Sequence, residues 1–448
     1  MTVSEKLAQF VLDTGYSDIS QKSVDYTKRL TLSTLGSMSW GSTLPAGKIV
    51  IKLIKEWGGT PEVGVIGGGF KTSLPNAILA GGNFGHASEW EGDSRPESVG
   101  LFTVVPVAFA LGEKLGLSGK DVLAATIVGH EVQARIGLAC VPATERGFFS
   151  VPVFGTFGAA ASAAKLLKLD KKQIMVALSI AASQAAGTIR QSSTMSHFVE
   201  TGFSARNGLV AAMLAKEGFT ADTDIFEDTS HGVGFGSAVA GKEGYEIEKA
   251  TKDLGKPFRV DLIDTKHYPC HSQQQRALDG VLQLVNEHDI AYEEVESVEI
   301  ELKSDVHEID SLDPPDGESA RFSIQHGVAG ALLEHAVGRD TFTDKKAVDP
   351  RFKEARRKVK LIVPPEPIDA DKITIKLKNG KDYSISVKSW KGHYTSPLTT
   401  EELLAKFRDA TGNTLSPNQA ERSIELVLNL DGLKDVAELM KVITFPRQ

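Results

Sequence analysis

Residues 99–255 constrain the fold more than any other part of this sequence. Nearly all of this stretch reads as helix, with small residues on many of the helical faces. The segment GTFGAAASAAKLL at 155–167 is the extreme case. Helices without a polar face are buried, and small side chains let their neighbours approach closely. The pattern continues at 101–115, closed by Gly116, and at 119–139, with Ser118 as N-cap. It recurs at 170–186 and 202–215. Upstream, Leu7, Phe10, Val11, Val24, Leu30, Leu32 and Leu35 keep helical spacing, and a helix over 46–57 stops at Gly58-Gly59. There is no internal repeat of fixed period.

After about residue 290 the period changes to two. VESVEIEL at 295–302 alternates as a strand does. KITIKLKNGKDYSISV at 372–387 reads as a hairpin with a two-residue turn at Asn379-Gly380, led in by the rigid residues 364–367. Between them ARFSIQHGVAGALLEHAVG is a helix. PLTTEELLAKFRDA returns to helix, with Thr399 or Thr400 as cap and Glu402 in the first turn. The expected fold class is therefore mainly α. A large all-α helical domain is formed by residues 1–266 with 398–448, and a smaller α+β domain by 267–397.

The length of 448 residues suits two or three domains. A net charge of −8 without a dense basic run argues against a nucleic-acid partner. The two cysteines, Cys140 and Cys270, give neither a disulfide framework nor a zinc-ligand spacing. No apolar run reaches the ~18 residues of a membrane span. The first twenty residues include acidic ones and are no secretory leader, so a cytoplasmic protein is expected. Gly67-Gly68-Gly69 precedes Lys71-Thr72, but Phe70 intervenes and the phosphate-loop signature is not met. No GxSxG elbow occurs.

Three stretches concentrate chemistry. KHYPCHSQQQRALD, 266–279, places Lys266, His267 and His271 within six positions, on a loop kept extended by Pro269. With the positive end of the following helix, these cations can hold a carboxylate, or bring a lysine or histidine into the range of a base. The plainer alternative is a surface loop with ordinary basic residues. The second stretch, NFGHASEWEGDSRP, carries His86, Glu89, Glu91, Asp93 and Arg95. The alternative there is a solvated turn with surface ion pairs, against which Trp90 and the glycines favour partial burial. The third, 190–197, carries Arg190 and His197, or else is a satisfied interhelical loop. Arg146 among Phe148 and Phe149, and His231, are weaker candidates. His130, His288, His307, His326 and His335 read as structural.

Taken together, GNFGHASEWEGD, GTFGAAASAAKLLKLD, TMSHFVETGFSARNGLVAAMLA, KHYPCHSQQQRALD, ARFSIQHGVAGAL and KGHYTSPLTTEELLAKF resemble the signatures of the MmgE/PrpD family over nearly the whole chain. The resemblance implies the PrpD-like fold, a homodimer, no metal and no organic cofactor. It also implies an enzyme acting on a small polycarboxylate. Within it, Glu89, Asp93 and Arg95 stand where relatives carry Asp residues, a Thr and a His. Phe149 stands where a His is expected, His197 where a Lys is expected, and Gln275 where a further His is expected. Lys266 is kept, and His271, a turn earlier than Gln275, is positioned to substitute.

Proton abstraction thus survives while much of the leaving-group machinery is altered, which favours an epimerase of an imino- or amino-polycarboxylate such as iminodisuccinate. In that reading Lys266 or His271 takes the α-proton, and His271, His86 or Asp93 returns it to the other face. Glu89, Arg95, Arg190, His197 and His267 bind the substrate. The alternatives are a lyase, dehydrating or decarboxylating a tricarboxylate such as 2-methylcitrate or cis-aconitate, and a silent family member that only binds anions.

Overall fold

A computed structural model describes residues 1–303, 308–366 and 368–444. His307 and Pro367 lie outside the described residues. The chain divides into two compact units, one of residues 1–191, 196–264 and 399–448, the other of residues 192–195 and 265–398.

Local capping chemistry sets the helices of the larger unit. The Ser118 hydroxyl accepts from Asp121 N while the Asp121 carboxylate accepts from Ser118 N, fixing the start of the helix Gly119–Ala139. Thr399 and Glu402 do the same for Thr400–Thr411. The single helix expected over 101–115 is a 3-10 turn, Leu101–Thr103, followed by the helix Val105–Leu115. Pro106 has no N–H to give to a preceding turn, so it opens a new helix instead. Proline also explains the longer run Ser150–Leu166: Pro152 is tolerated in the first turn, and the helix starts five residues before the alanine-rich segment. That helix is buried along nearly its whole circumference, including Val153, Phe154, Phe157, Ala160 and Ala163.

The apolar run at 63–66 contributes a strand of only two residues, β1 (Val63–Gly64), paired antiparallel with β2 (Lys71–Thr72). The glycine amides of the turn between them serve the fold. Gly67 N donates to Ile443 O at 3.0 Å and Gly69 N to Thr444 O at 2.9 Å. They thereby satisfy carbonyls left over at the C-terminal end of the helix Ala437–Thr444.

The smaller unit is built on a four-stranded sheet of β3 (Val295–Glu301), β4 (Val359–Ile362), β5 (Asp371–Leu377) and β6 (Asp382–Val387), in the order β4-β3-β5-β6. β3 and β4 are parallel, and the other neighbours are antiparallel. The register sets Val298 opposite Ile375 and Ile300 opposite Ile373. These residues share a core with Leu278, Val281 and Val285 of the helix Gln275–His288 and with Val328 and Leu332 of the helix Ile324–Glu334. The β5–β6 turn differs from expectation. Gly380 N donates to Leu377 O and Leu377 N to Lys381 O, so three residues span the turn and only Gly380 has positive φ, at 83°. A type I turn closed by a left-handed glycine satisfies the strand twist without demanding positive φ of Asn379.

Thr265 and Lys266 fall with the smaller unit in this division, and Thr265 N donates to Gly392 O at 2.7 Å. Residues 192–195 likewise fall with that unit. Among the described residues, no helix is long and apolar enough to cross a membrane.

Candidate active site

In the larger unit two helices approach through glycine. A Cβ on Gly82 would lie 2.9 Å from Gly202 Cα, and one on Gly202 would lie 2.4 Å from Leu79 O. This backbone contact joins the helices Leu74–Ala87 and Met195–Lys216. One turn beyond Gly82, His86 therefore comes beside Thr201, and His86 Nδ1 lies 2.8 Å from Thr201 Oγ1. His197 is one turn before Thr201 on the same helix.

Past His86 the backbone turns sharply. Glu89 takes a left-handed φ of 50°, a conformation that costs a non-glycine residue about 1 kcal/mol or more. Its neighbour Trp90 is held firmly: edge-on against Trp40 at 5.6 Å, with its carbonyl accepting from Lys406 Nζ at 2.6 Å. The turn aims Glu89 back at the two imidazoles. His86 Nε2 is 3.5 Å and His197 Nε2 3.8 Å from the same atom, Glu89 Oε1. Glu91 Oε1 stands 3.9 Å from His86 Nε2. All four side chains are buried, none of the residues being more than 5% exposed.

Aromatic rings wall this cluster. Phe149 stacks on His197 at 4.3 Å and on His86 at 5.7 Å, Phe102 lies 5.0 Å from His86, and Phe198 meets both imidazoles edge-on at 5.7 Å. Phe149 is itself anchored by its N–H, which donates to Gly187 O. Two carboxylates and two imidazoles in so apolar an enclosure interact more strongly than in water. They can pass a proton between them or share a cation. The ligand atoms of His86, Glu89 and His197 all lie within 4.8 Å of one another.

Asp93 and Arg95, from the same stretch, point elsewhere. They pair with each other at 3.1 Å, and Arg95 is exposed. What fixes this segment is Glu97, wholly buried, which takes both its carboxylate oxygens to Arg259 at 2.7 and 2.9 Å. Arg190 lies exposed on the 3-10 turn Ile189–Gln191. Asp93, one of the alternatives for proton return, is paired with Arg95, while the buried glutamates Glu89 and Glu91 face the histidines.

In the smaller unit the loop at 266–275 is cinched by Gln275. Its Oε1 accepts from His267 N and Tyr268 N, both at 3.0 Å, and its Nε2 donates to Tyr268 O and Cys270 O. Tyr268 OH donates to Asp279 at 2.7 Å. Lys266 is buried, and His267 is half-buried with Nδ1 3.8 Å from Asp279. His271 caps the helix start, its Nδ1 accepting from Gln273 N at 3.4 Å and its Nε2 facing Glu308 at 3.6 Å. A ring nitrogen used as a cap acceptor is not available as a base, so the role given to His271 narrows to its Nε2.

One group escaped the sequence reading. Glu200, three residues after His197 on the same helix, is half-buried, and burial pushes its carboxyl up to about 7 despite an N–H from Thr188 at 3.4 Å. The available signal was a lone acid one turn from His197 in a helix of mostly small and apolar residues.

Comparison with known proteins agrees with this architecture. The MmgE/PrpD N-terminal domain matches residues 5–248 and the MmgE/PrpD C-terminal domain residues 268–432. The chain is 26% identical to the cis-aconitate decarboxylase of Mus musculus over 464 aligned residues, covering 99% of this chain and 94% of that protein. It is 25% identical to the cis-aconitate decarboxylase of Homo sapiens, covering 99% and 95%. It is 24% identical to that of Aspergillus terreus, covering 99% and 96%. These end-to-end matches favour the lyase alternative over the epimerase reading preferred on sequence grounds. With both of its domain models matched in order along the sequence, the chain belongs to the MmgE/PrpD family.

Proposed function

We propose that the protein is a lyase of small polycarboxylates that decarboxylates an unsaturated tricarboxylate of the cis-aconitate kind. The observation that carries this reading is the end-to-end likeness to proteins named cis-aconitate decarboxylase. The buried His86–Glu89–His197 cluster supplies the chemistry such a reaction needs. The bond to the departing carboxylate breaks, and its electron pair stays on the substrate as a carbanion delocalised toward a remaining conjugated carboxylate. A proton must then be delivered to carbon, so that tricarboxylate plus proton gives dicarboxylate plus carbon dioxide. An imidazolium at His197 or His86 is the donor, and Glu89 stabilises the charged ring. Lys266, His267 and Arg190 are proposed as cations for substrate carboxylates, and the homodimer implied by the family is part of the reading.

A second reading keeps the epimerase of a compound such as iminodisuccinate. It is favoured by Arg95, Phe149 and His197, which stand where the family resemblance places other groups. Epimerisation needs only removal and return of an α-proton.

Purified protein offered cis-aconitate, 2-methylcitrate and a chiral iminodicarboxylate in D₂O separates these outcomes. Carbon dioxide from cis-aconitate supports the proposal. Deuterium entry at the α-carbon with loss of optical purity, and no carbon dioxide, would replace it with the second reading. Neither product, with anion binding retained, would mean a catalytically silent protein.

A further inference from the structure

We propose that His86, Glu89 and His197 form a binding site for a divalent transition-metal ion of the zinc class, whose occupancy competes with proton transfer at the two imidazoles. The competing effect rests on the functional reading above, whereas the binding site does not. The family resemblance implies no metal, so the inference departs from that expectation and stands on the geometry of these residues.

The first argument is spacing. Both imidazole Nε2 atoms face one carboxylate oxygen at 3.5 and 3.8 Å. These separations exceed the ~2.7–3.2 Å of a good hydrogen bond. Around a tetrahedral zinc with bonds of ~2.0–2.2 Å, ligand atoms sit roughly 3.3–3.5 Å apart. The two imidazole–carboxylate separations need to close by only a few tenths of an ångström, and all three ligand atoms lie within 4.8 Å of one another.

The second argument is orientation. His86 Nδ1 is engaged by Thr201 Oγ1 at 2.8 Å, which holds the ring with Nε2 facing Glu89. A partner on the far ring nitrogen that fixes tautomer and ring plane is the usual companion of a metal-binding histidine. Phe149 stacks on both rings, Phe198 meets both edge-on and Phe102 lies against His86, which restrains the imidazole planes.

The third argument is charge. Glu89 and Glu91 are both buried beside these rings. A dication bound by two imidazoles and a carboxylate is attracted to buried carboxylates more strongly than it would be in water. Two nitrogens and one oxygen suit zinc, cobalt or nickel better than calcium or magnesium. Glu91 is near enough to act as a fourth ligand after a rotamer change, and otherwise that position stays open. A metal on either Nε2 takes up the lone pair that carries the transferable proton.

The test uses full-length, chelator-treated protein titrated with Zn²⁺ against a chromophoric chelator, with the Co²⁺ visible spectrum as a report of coordination. The wild type is expected to bind one Zn²⁺ per chain, with Co²⁺ bands of a four- or five-coordinate site. Glu89→Gln and His197→Ala, each checked for folding by circular dichroism, should weaken binding at least 100-fold. Thr201→Val should weaken it about tenfold by freeing the His86 ring. Sub-stoichiometric binding by wild type, or stoichiometric binding that survives both ligand variants, would overturn the proposal. Any turnover observed should fall on zinc addition and return with a chelator, and turnover unaffected by a bound ion would overturn the competition. A protein that binds zinc as expected yet turns over no polycarboxylate would refute the functional reading and leave the metal site standing.

Discussion

The imidazole of His197 lies against the ring of Phe149, with centroids 4.3 Å apart and planes 20° from parallel. The same Phe149 ring also faces His86. One phenyl group thus restrains the planes of both imidazoles beside Glu89. Phe149→Leu keeps most of the apolar volume and removes the stack. Aromatic pairs contribute about 0.5–1.5 kcal/mol beyond burial, so the variant should lose up to about tenfold in kcat with little change in KM. Steady-state measurement of carbon dioxide release checks this, and an unchanged kcat would deny Phe149 any positioning role.

The contact of Gly82 with Gly202 has a sharper consequence. Gly82→Ala places a methyl 2.9 Å from both Gly202 Cα and Thr201 O, neither of which can give way without moving its helix. The helices should separate by a fraction of an ångström, costing roughly 1–3 kcal/mol of stability. The His86–Thr201 contact lengthens with them. Thermal unfolding and kcat should fall together, and a Tm within a degree of wild type would show that the helices accommodate the methyl.

How much of this was legible in the sequence differs by element. Ser118 was readable as a cap, and the second cap was narrowed to Thr399 or Thr400, of which Thr399 stands three residues before Glu402 and makes the capping box. The hairpin at 371–387 was readable from alternation, but its turn was not, since Asn-Gly suits two different turn geometries. The pairing of His86 with His197 was invisible. It depends on where Gly82 meets Gly202, more than a hundred residues apart, and nothing in either local pattern encodes that crossing. In sequence Asp93 reads as a group for proton return and Glu89 as one for substrate binding, and only the left-handed turn at Glu89 and the lock on Trp90 set Glu89 toward the histidines.

Glu200 makes stability depend on pH. Its folded-state carboxyl sits at about 7, above the ordinary 4.5, because burial penalises the charged form. The folded state therefore binds this proton more tightly than the unfolded chain, and stability falls as pH rises from about 4.5 to about 7. The group is only half-buried, so after solvent screening the loss is on the order of 1 kcal/mol. Glu200→Gln should remove that part of the slope, gaining Tm over wild type at pH 8 but not at pH 4.5. Parallel slopes for the two proteins would rule the contribution out.

Gln275 holds the Lys266–Cys270 loop through four backbone hydrogen bonds. Gln275→Leu leaves the buried amides and carbonyls of that loop without their partner, at about 1–3 kcal/mol for each group that water does not reach. Chemical denaturation should show the loss. KM for a polycarboxylate should rise more than kcat falls, since the loop carries Lys266 and His267. A variant with wild-type stability would mean that the loop holds its shape without the clasp.

The most direct measurement compares carbon dioxide release from cis-aconitate by wild type and by Glu89→Gln, which keeps the shape and removes the charge between His86 and His197. The wild type is predicted to release carbon dioxide, and the variant to do so at least 100-fold more slowly with its Tm retained. No release by wild type, or equal release by both proteins, would contradict the account.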